Sequence, residues 1–304
     1  MNMDIRTIND RLRADAYGYM RQAEEEFDAR LTAVAQDIRD KRAQCPIILI
    51  AGPSGSGKTT TARKLEEKLD AWGCEAHALS LDNYFVPLSE EQQLLAAAGK
   101  LDLESPDRVD IPFLNQQLEG IIAGRPTPIP HFNFTDNSRT HSGHTLTRKP
   151  GDLVILEGIH ALNPAVITLQ EAETQRLYVS VRTRLVTDNG EALHPKRIRL
   201  LRRMLRDKLF RNRSVEHTLR MFGNVQRGEN RYIMPYKARS THDIDTFCPY
   251  EVSVYKDELL EELQTLENRA DARELLELLA QVTIAPAALV PPDALIREFI
   301  GPPQ

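Results

Sequence analysis

The chain is poor in cysteine. Cys45, Cys74 and Cys248 are its only three, an odd number spread far apart, which excludes a disulfide scaffold and offers no metal-type spacing. No uninterrupted apolar stretch is long enough to span a bilayer. Met1 to Asp10 hold acidic and polar residues where a secretory signal would need an apolar core. These absences predict a reduced, cytoplasmic protein with no membrane contact. Charge of one sign is also scarce: 39 Lys and Arg against 44 Asp and Glu leave a net charge of -5, which gives no support to a general polyanion-binding role. There is no internal repeat and no low-complexity segment. At 304 residues, with ordinary apolar and charged fractions, the chain suits one principal domain with additions at its ends.

What is present is concentrated in Gly52-Pro53-Ser54-Gly55-Ser56-Gly57-Lys58-Thr59. The apolar run Pro46 to Ala51 before it reads as a short buried strand, and Thr60 to Leu69 after it as a helix. That order is what a phosphate-binding loop requires. Gly52, Gly55 and Gly57 let the backbone turn, so that N–H groups from Ser54 to Thr60, including Ser56, converge on an anionic phosphate at the helix N-terminus. Lys58 then reaches the β- and γ-phosphates, and the Thr59 hydroxyl is placed to ligate magnesium.

Residues 9 to 43 carry apolar side chains at helical spacing around Tyr19, Phe27, Leu31, Val34 and Ile38, and read as one or two core-covering helices. A second strand, Glu75 to Asp82, ends on an acid and is followed by Tyr84 and Phe85. Strand ends in a parallel sheet face the ligand crevice, which makes Asp82 the candidate general base, with a turn-capping role as its rival. Ser89 to Gln117 is helical in pattern apart from a break at 101–107. The proline-rich passage Gly124 to Phe134 excludes a helix, and Thr145 to Arg148 alternates like an edge strand that pairs back on it, so 100–150 reads as an inserted flap. In that flap, Phe132 and Phe134 suit either a pocket wall or a small satellite core. His141 and His144 lack the acid or cysteine partners that a metal site needs.

Gly151 to Gly158 is a continuous apolar run ending in Glu157, and it reads as the central strand beside the loop. Glu157 is the second candidate metal carboxylate, alongside Asp82 and Thr59. Arg176 to Val181 and Asp243 to Phe247 are further strands. Residues 196–213 hold nine basic residues and one acid, with Arg199, Arg203 and Arg206 in one stripe and Ile198, Leu201, Leu205 and Leu209 in another. The arginine stripe suits a lid that neutralises charge on a transferring phosphoryl group, a solvated face or a nucleic-acid contact; the lid is the economical choice beside a phosphate loop. Gly228 to Tyr250 mixes loop and strand, 256–280 reads as one acidic helix, and the proline-rich tail from Ile284 carries one short helical piece without evident chemistry. The expected division is a helical extension over 1–45, a core over 46–256 and a helical tail over 257–304.

GPSGSGKTT, LDNYF, the ESPDRVD passage, PHFNFTDNSR, LVILEGIHAL and RRMLRDKLFRNR occur in the order and spacing of the uridine kinase and phosphoribulokinase superfamily. From about residue 46 to about 250 the chain resembles the uridine kinase-like bacterial nucleoside kinases, and the closing LIREFIG resembles them too. The resemblance implies an α/β P-loop three-layer sandwich around a five-stranded parallel sheet. It also implies ATP and magnesium as cosubstrates and γ-phosphoryl transfer to a primary hydroxyl of a small-molecule acceptor such as a nucleoside. By motif position Asp82 falls on the catalytic aspartate, Glu157 on the magnesium-associated glutamate, and Arg206, Arg211 and Arg213 on lid arginines, with Arg203 nearby. Glu104 falls on the ribose-binding aspartate, Phe132 on the stacking tyrosine and Asn137 on the base-reading histidine. Those departures leave phosphoryl transfer better supported than uridine, with sugar phosphate, glycerate or pantothenate as rival acceptors and a nucleotide switch as a rival class. Relatives of this kind are often homo-oligomers, though no stretch of this sequence names an interface.

Overall fold

The computed structural model describes residues 1–303. The chain opens with β1 (Asn2–Asp4) and α1 (Ile5–Asp40), whose first turn is capped by Asp4 accepting from the Arg6 N–H at 2.7 Å. The one or two helices expected here are one helix, kinked where Asp15 leaves helical geometry. Tyr19, Phe27, Leu31 and Ile38 are buried on its inner face.

The next elements in order are β2 (Ile47–Ala51), α2 (Lys58–Ala71) and β3 (Ala76–Ser80). Asp82 is not on the strand as the sequence suggested but in a 3-10 turn over Leu81–Tyr84, because the Ser80 hydroxyl accepts from the Asp82 N–H at 3.3 Å and starts the turn. Two helices follow, α3 (Glu90–Ala97) and α4 (Ile111–Ile122). The flap is an antiparallel hairpin of β4 (Thr127–Asn133) and β5 (Ser138–Leu146), so the edge strand expected at Thr145 begins earlier and is longer.

After the hairpin the chain forms β6 (Leu153–Glu157), β7 (Thr174–Ser180) and β8 (Arg184–Val186), then α5 (Lys196–Arg211). A helix the sequence reading did not assign, α6 (Val215–Tyr232), takes in Gly228 to Tyr232, where a mixture of loop and strand was expected. Ser214 caps it by accepting from the His217 N–H at 3.1 Å. Then come β9 (His242–Asp245), α7 (Glu251–Gln264), α8 (Ala270–Gln281) and α9 (Arg297–Ile300). The single acidic helix expected over 256–280 is therefore two helices. Arg269, whose guanidinium reaches the Asp271 carboxylate at 2.9 Å, lies at the start of the second in extended geometry.

The five-stranded sheet has the order β3-β6-β2-β7-β9, and every neighbouring pair is parallel. Both faces are buried, and residues alternate between them: Ile48 and Ile50 join the cluster formed with α1, α2 and the C-terminal segment, while Ile47 and Leu49 join the cluster under α4 and the hairpin. Parallel pairing brings the carboxyl ends of β2, β3 and β6 to one edge, where the phosphate loop, Asp82 and Glu157 meet. Among the described residues, no helix is long and apolar enough to cross a membrane.

Candidate active site

Between β2 and α2 the phosphate loop is closed by its own backbone: the Ser56 N–H donates to Pro53 O at 3.2 Å and the Thr61 N–H to Gly57 O at 3.0 Å. Gly57, with φ +83°, precedes the helix in a left-handed conformation that any side chain would strain. Gly52 is required for a different reason, since a Cβ there would lie 1.9 Å from Val179 O on β7.

The loop borders a cavity of about 500 Å³. Ser54 to Thr59, Asp82, Glu157, Gly158 and Ile159 line it together with Arg203, Arg206, Arg211 and Arg213. Phe85, Leu103, Glu104, Phe134 and Thr135 line it as well. Thus Lys58, Asp82, Glu157, Glu104 and the α5 arginines, far apart in sequence, share one space.

The charges in this space are unbalanced locally. Burial raises the Asp82 carboxyl above the ordinary aspartate range, against the pull of Lys58, Arg211 and Arg206. Burial and the neighbouring Asp82 push Glu157 up to about 7, against Lys58 and the Ser80 hydroxyl, which donates to Glu157 at 2.7 Å. Two carboxylates raised in this way, with the Thr59 hydroxyl in the same cavity, form an all-oxygen donor set that fits magnesium held partly by the protein and partly by phosphates. At the α5 arginines the imbalance is reversed. Burial, Arg211 and Arg203 pull Arg206 down to about 10, and burial also lowers Arg211. Crowded guanidinium groups of this kind favour a bound anion.

Not every arginine of α5 lines the cavity. Arg199 is 7 % exposed and paired with Glu229, and Arg202 is 0 % exposed and paired with Glu251 at 2.6 Å. Arg203 donates to Ser54 Oγ at 2.9 Å, and Arg206 lies 3.5 Å from the same hydroxyl.

Gly52, Thr60, Tyr84, Phe132 and Asn137, all expected in the site, do not line the cavity. Gly52 lies beneath the loop against β7. The Thr60 hydroxyl donates to Glu298 at 2.7 Å. Tyr84 is fully buried, 5.9 Å from the Phe113 ring. The Asn137 amide accepts from the Leu88 N–H at 2.9 Å and donates to Leu88 O at 2.8 Å, so it pins the hairpin to the segment after β3. Phe132 is 5 % exposed and sits behind Phe134, which is 63 % exposed and faces the cavity with Phe85. Phe134, not Phe132, thus lines the cavity.

Glu104 is pushed up to about 7 by burial, against Arg203. It packs on α6 at Gly228, where an added Cβ would come within 2.3 Å of the Glu104 Cβ. Sequence reasoning missed Leu103, Thr135, Ile159, Phe210 and Glu298, all on the cavity wall. Phe210 and Glu298 lie within the family-like stretches RRMLRDKLFRNR and LIREFIG, but only the tertiary packing brings their side chains to this cavity.

A model of the Phosphoribulokinase / Uridine kinase family matches residues 47–249. A uridine kinase of Lactobacillus johnsonii is 32 % identical over 196 residues, covering 63 % of this chain and 82 % of that protein. Uridine-cytidine kinase-like 1 of mouse is 32 % identical over 188 residues, covering 61 % of this chain and 31 % of that protein. Among solved structures, a Silicibacter protein described as a fructose transport system kinase superposes with a TM-score of 0.54 at 16 % identity, covering 70 % of this chain and 98 % of that one, a likeness of fold alone. With the loop, the parallel sheet and the sequence match in agreement, the chain belongs to the phosphoribulokinase/uridine kinase family of P-loop kinases.

Proposed function

We propose that the protein transfers the γ-phosphoryl group of ATP, in the presence of magnesium, to a hydroxyl of a nucleoside or similar small uncharged molecule. The observation that carries this reading is the shared cavity of Lys58, Asp82, Glu157 and the α5 arginines. Asp82 stands where an acceptor hydroxyl must lose its proton, and its raised affinity for protons suits a general base. Lys58, Arg206 and Arg211 neutralise charge on the group being transferred, and Arg203 fixes the Ser54 side of the loop. Thr59 and Glu157, with Asp82 beside them, would hold magnesium, which when bound would supply neutralisation of phosphate charge.

The acceptor end supports an uncharged substrate. A phosphorylated acceptor needs cations from the flap, and none of the flap's Arg or Lys residues lines the cavity. Arg108 lies 5.9 Å from the Phe85 ring centre, Arg139 pairs with Asp110 at 2.8 Å, and Arg148 donates to backbone carbonyls of Asp152 and Ile122. Phe85, Phe134 and Leu103 offer an apolar wall for a flat ring, and Glu104 an acceptor for hydroxyls. The names of the uridine kinase relatives favour the same class.

The test is ADP release from ATP and magnesium, measured with and without a panel of nucleosides, simple sugars, glycerate and pantothenate. Release stimulated by nucleosides is the expected result. Stimulation only by a charged acceptor would replace the nucleoside reading, and slow hydrolysis indifferent to the panel would point to a nucleotide switch.

A further inference from the structure

Thr60 is the third residue of α2, so its N–H is one of the first-turn donors that a helix cannot satisfy from within. The next donor, the Thr61 N–H, already closes onto Gly57 O. In a loop of this pattern the free donors face the α- and β-phosphates of the nucleotide. Here the place is taken. Glu298 Oε2 accepts from the Thr60 N–H at 3.3 Å and from Thr60 Oγ1 at 2.7 Å, while Glu298 Oε1 lies 4.0 Å from Arg206. A carboxylate of the chain's own C-terminal segment is bound between the loop helix and the lid, as an anion would be.

The segment that carries Glu298 is built into the fold. Ile296 and Phe299 are fully buried, and the Phe299 ring centre is 5.1 Å from the Arg202 guanidinium, which also donates to Gly55 O at 3.2 Å. Leu295 packs on the loop itself, 3.1 Å from where a Cβ on Gly57 would lie. The backbone at residue 298 is thereby fixed, and rotation of the glutamate side chain is the freedom left. Leu295 to Phe299 lie beyond residues 47–249, the stretch that the family model matches.

We infer that Glu298 is an internal anion that competes for the α-phosphate end of the loop, and that a bound nucleotide displaces it from Thr60 toward Arg206. Two negative groups cannot share the Thr60 donors, so nucleotide affinity is set by competition between carboxylate and phosphate. The apparent dissociation constant is the intrinsic one divided by the fraction of molecules whose Thr60 is free. This inference rests on the nucleotide-binding reading of the loop, but not on the identity of the acceptor.

The experiment is direct binding of ADP with magnesium, by calorimetry and without acceptor, to wild type, Glu298→Gln and Glu298→Ala, with melting curves to establish that each is folded. Both substitutions are expected to tighten ADP binding by about three- to tenfold. A Thr60→Val background, which removes one of the two contested donors, is expected to shrink that gain. Should Glu298→Ala fail to fold, Glu298→Asp serves in its place: the charge is kept but withdrawn by one methylene, and tighter binding than wild type is again expected. Unchanged or weaker ADP binding in the folded variants would overturn the competition alone. A wild-type protein that binds no ADP would overturn the competition together with the nucleotide-binding reading, so the two failures are distinguishable.

Discussion

Arg199 and Glu229 face each other in a buried two-pronged pair, with Nη1 to Oε1 at 2.6 Å and Nη2 to Oε2 at 2.7 Å. Both partners also hold Ser54. Glu229 accepts from its N–H at 3.1 Å, and Arg199 donates to its carbonyl at 2.9 Å. The pair therefore clamps the phosphate loop between α5 and α6 and leaves neither charge unmatched.

Removing one partner strands the other. Glu229→Met is expected to lower stability by about 3–5 kcal/mol, whereas changing Arg199 and Glu229 to methionine together costs less because no isolated charge stays buried. Chemical denaturation of the four members of this cycle measures the coupling. Additive losses would show that the clamp holds nothing.

Asp82→Asn keeps the shape of the site but removes the proposed proton acceptor. Turnover is expected to fall by roughly 10²- to 10⁴-fold with nucleotide affinity nearly retained. Steady-state rates beside ADP binding make the comparison, and unchanged turnover would take Asp82 out of the mechanism.

Glu157 holds its proton more tightly in the folded protein, up to about 7, than in the unfolded chain. Its protonation favours folding below about pH 4.5, and the benefit is lost as pH rises through 7. Glu157→Gln, with no charge to bury, is expected to be more stable than wild type at about pH 8 by on the order of 2 kcal/mol, with the gap closing toward pH 5. Unfolding titrations without magnesium at the two pH values decide it; a gap independent of pH would assign the effect to packing.

The two phenylalanines of the hairpin are expected to separate by phenotype. Phe132→Ala opens the buried cluster and should cost about 3–4 kcal/mol of stability. Phe134→Ala leaves the fold nearly intact and raises the KM for the acceptor while the KM for ATP stays put. If instead Phe132→Ala alone moved the acceptor KM, the wall would have to be redrawn.

Much of the site was legible because its signals are local. The loop follows an apolar strand within a few residues, and Glu157 ends a run whose continuous apolarity marks a strand buried on both faces. The hidden parts are those that tertiary packing decides. In α6 the glycines Gly223 and Gly228 interrupt an otherwise helical pattern, and Gly228 is explained only by the close approach of Glu104. Asn137 was expected to read a base, but its amide is satisfied at Leu88 because the hairpin folds back on that segment. β4 ends at Asn133, so Phe134 leaves the strand and turns outward while Phe132 stays with the core. The arginine stripe was visible as a stripe, but helical spacing alone could not separate Arg199, committed to Glu229, from Arg203 and Arg206, which face the loop.

One apolar cluster runs from Ile5 on α1, through Ile48, Ile50 and Leu177 of the sheet, to Phe299 at the far end of the chain. The two ends are thus a wall of the catalytic core itself. A fragment trimmed to residues 47–249 would open this face of the sheet to water, and is expected to aggregate instead of folding. In the full chain the ends and the phosphate loop should melt together, in a single cooperative transition.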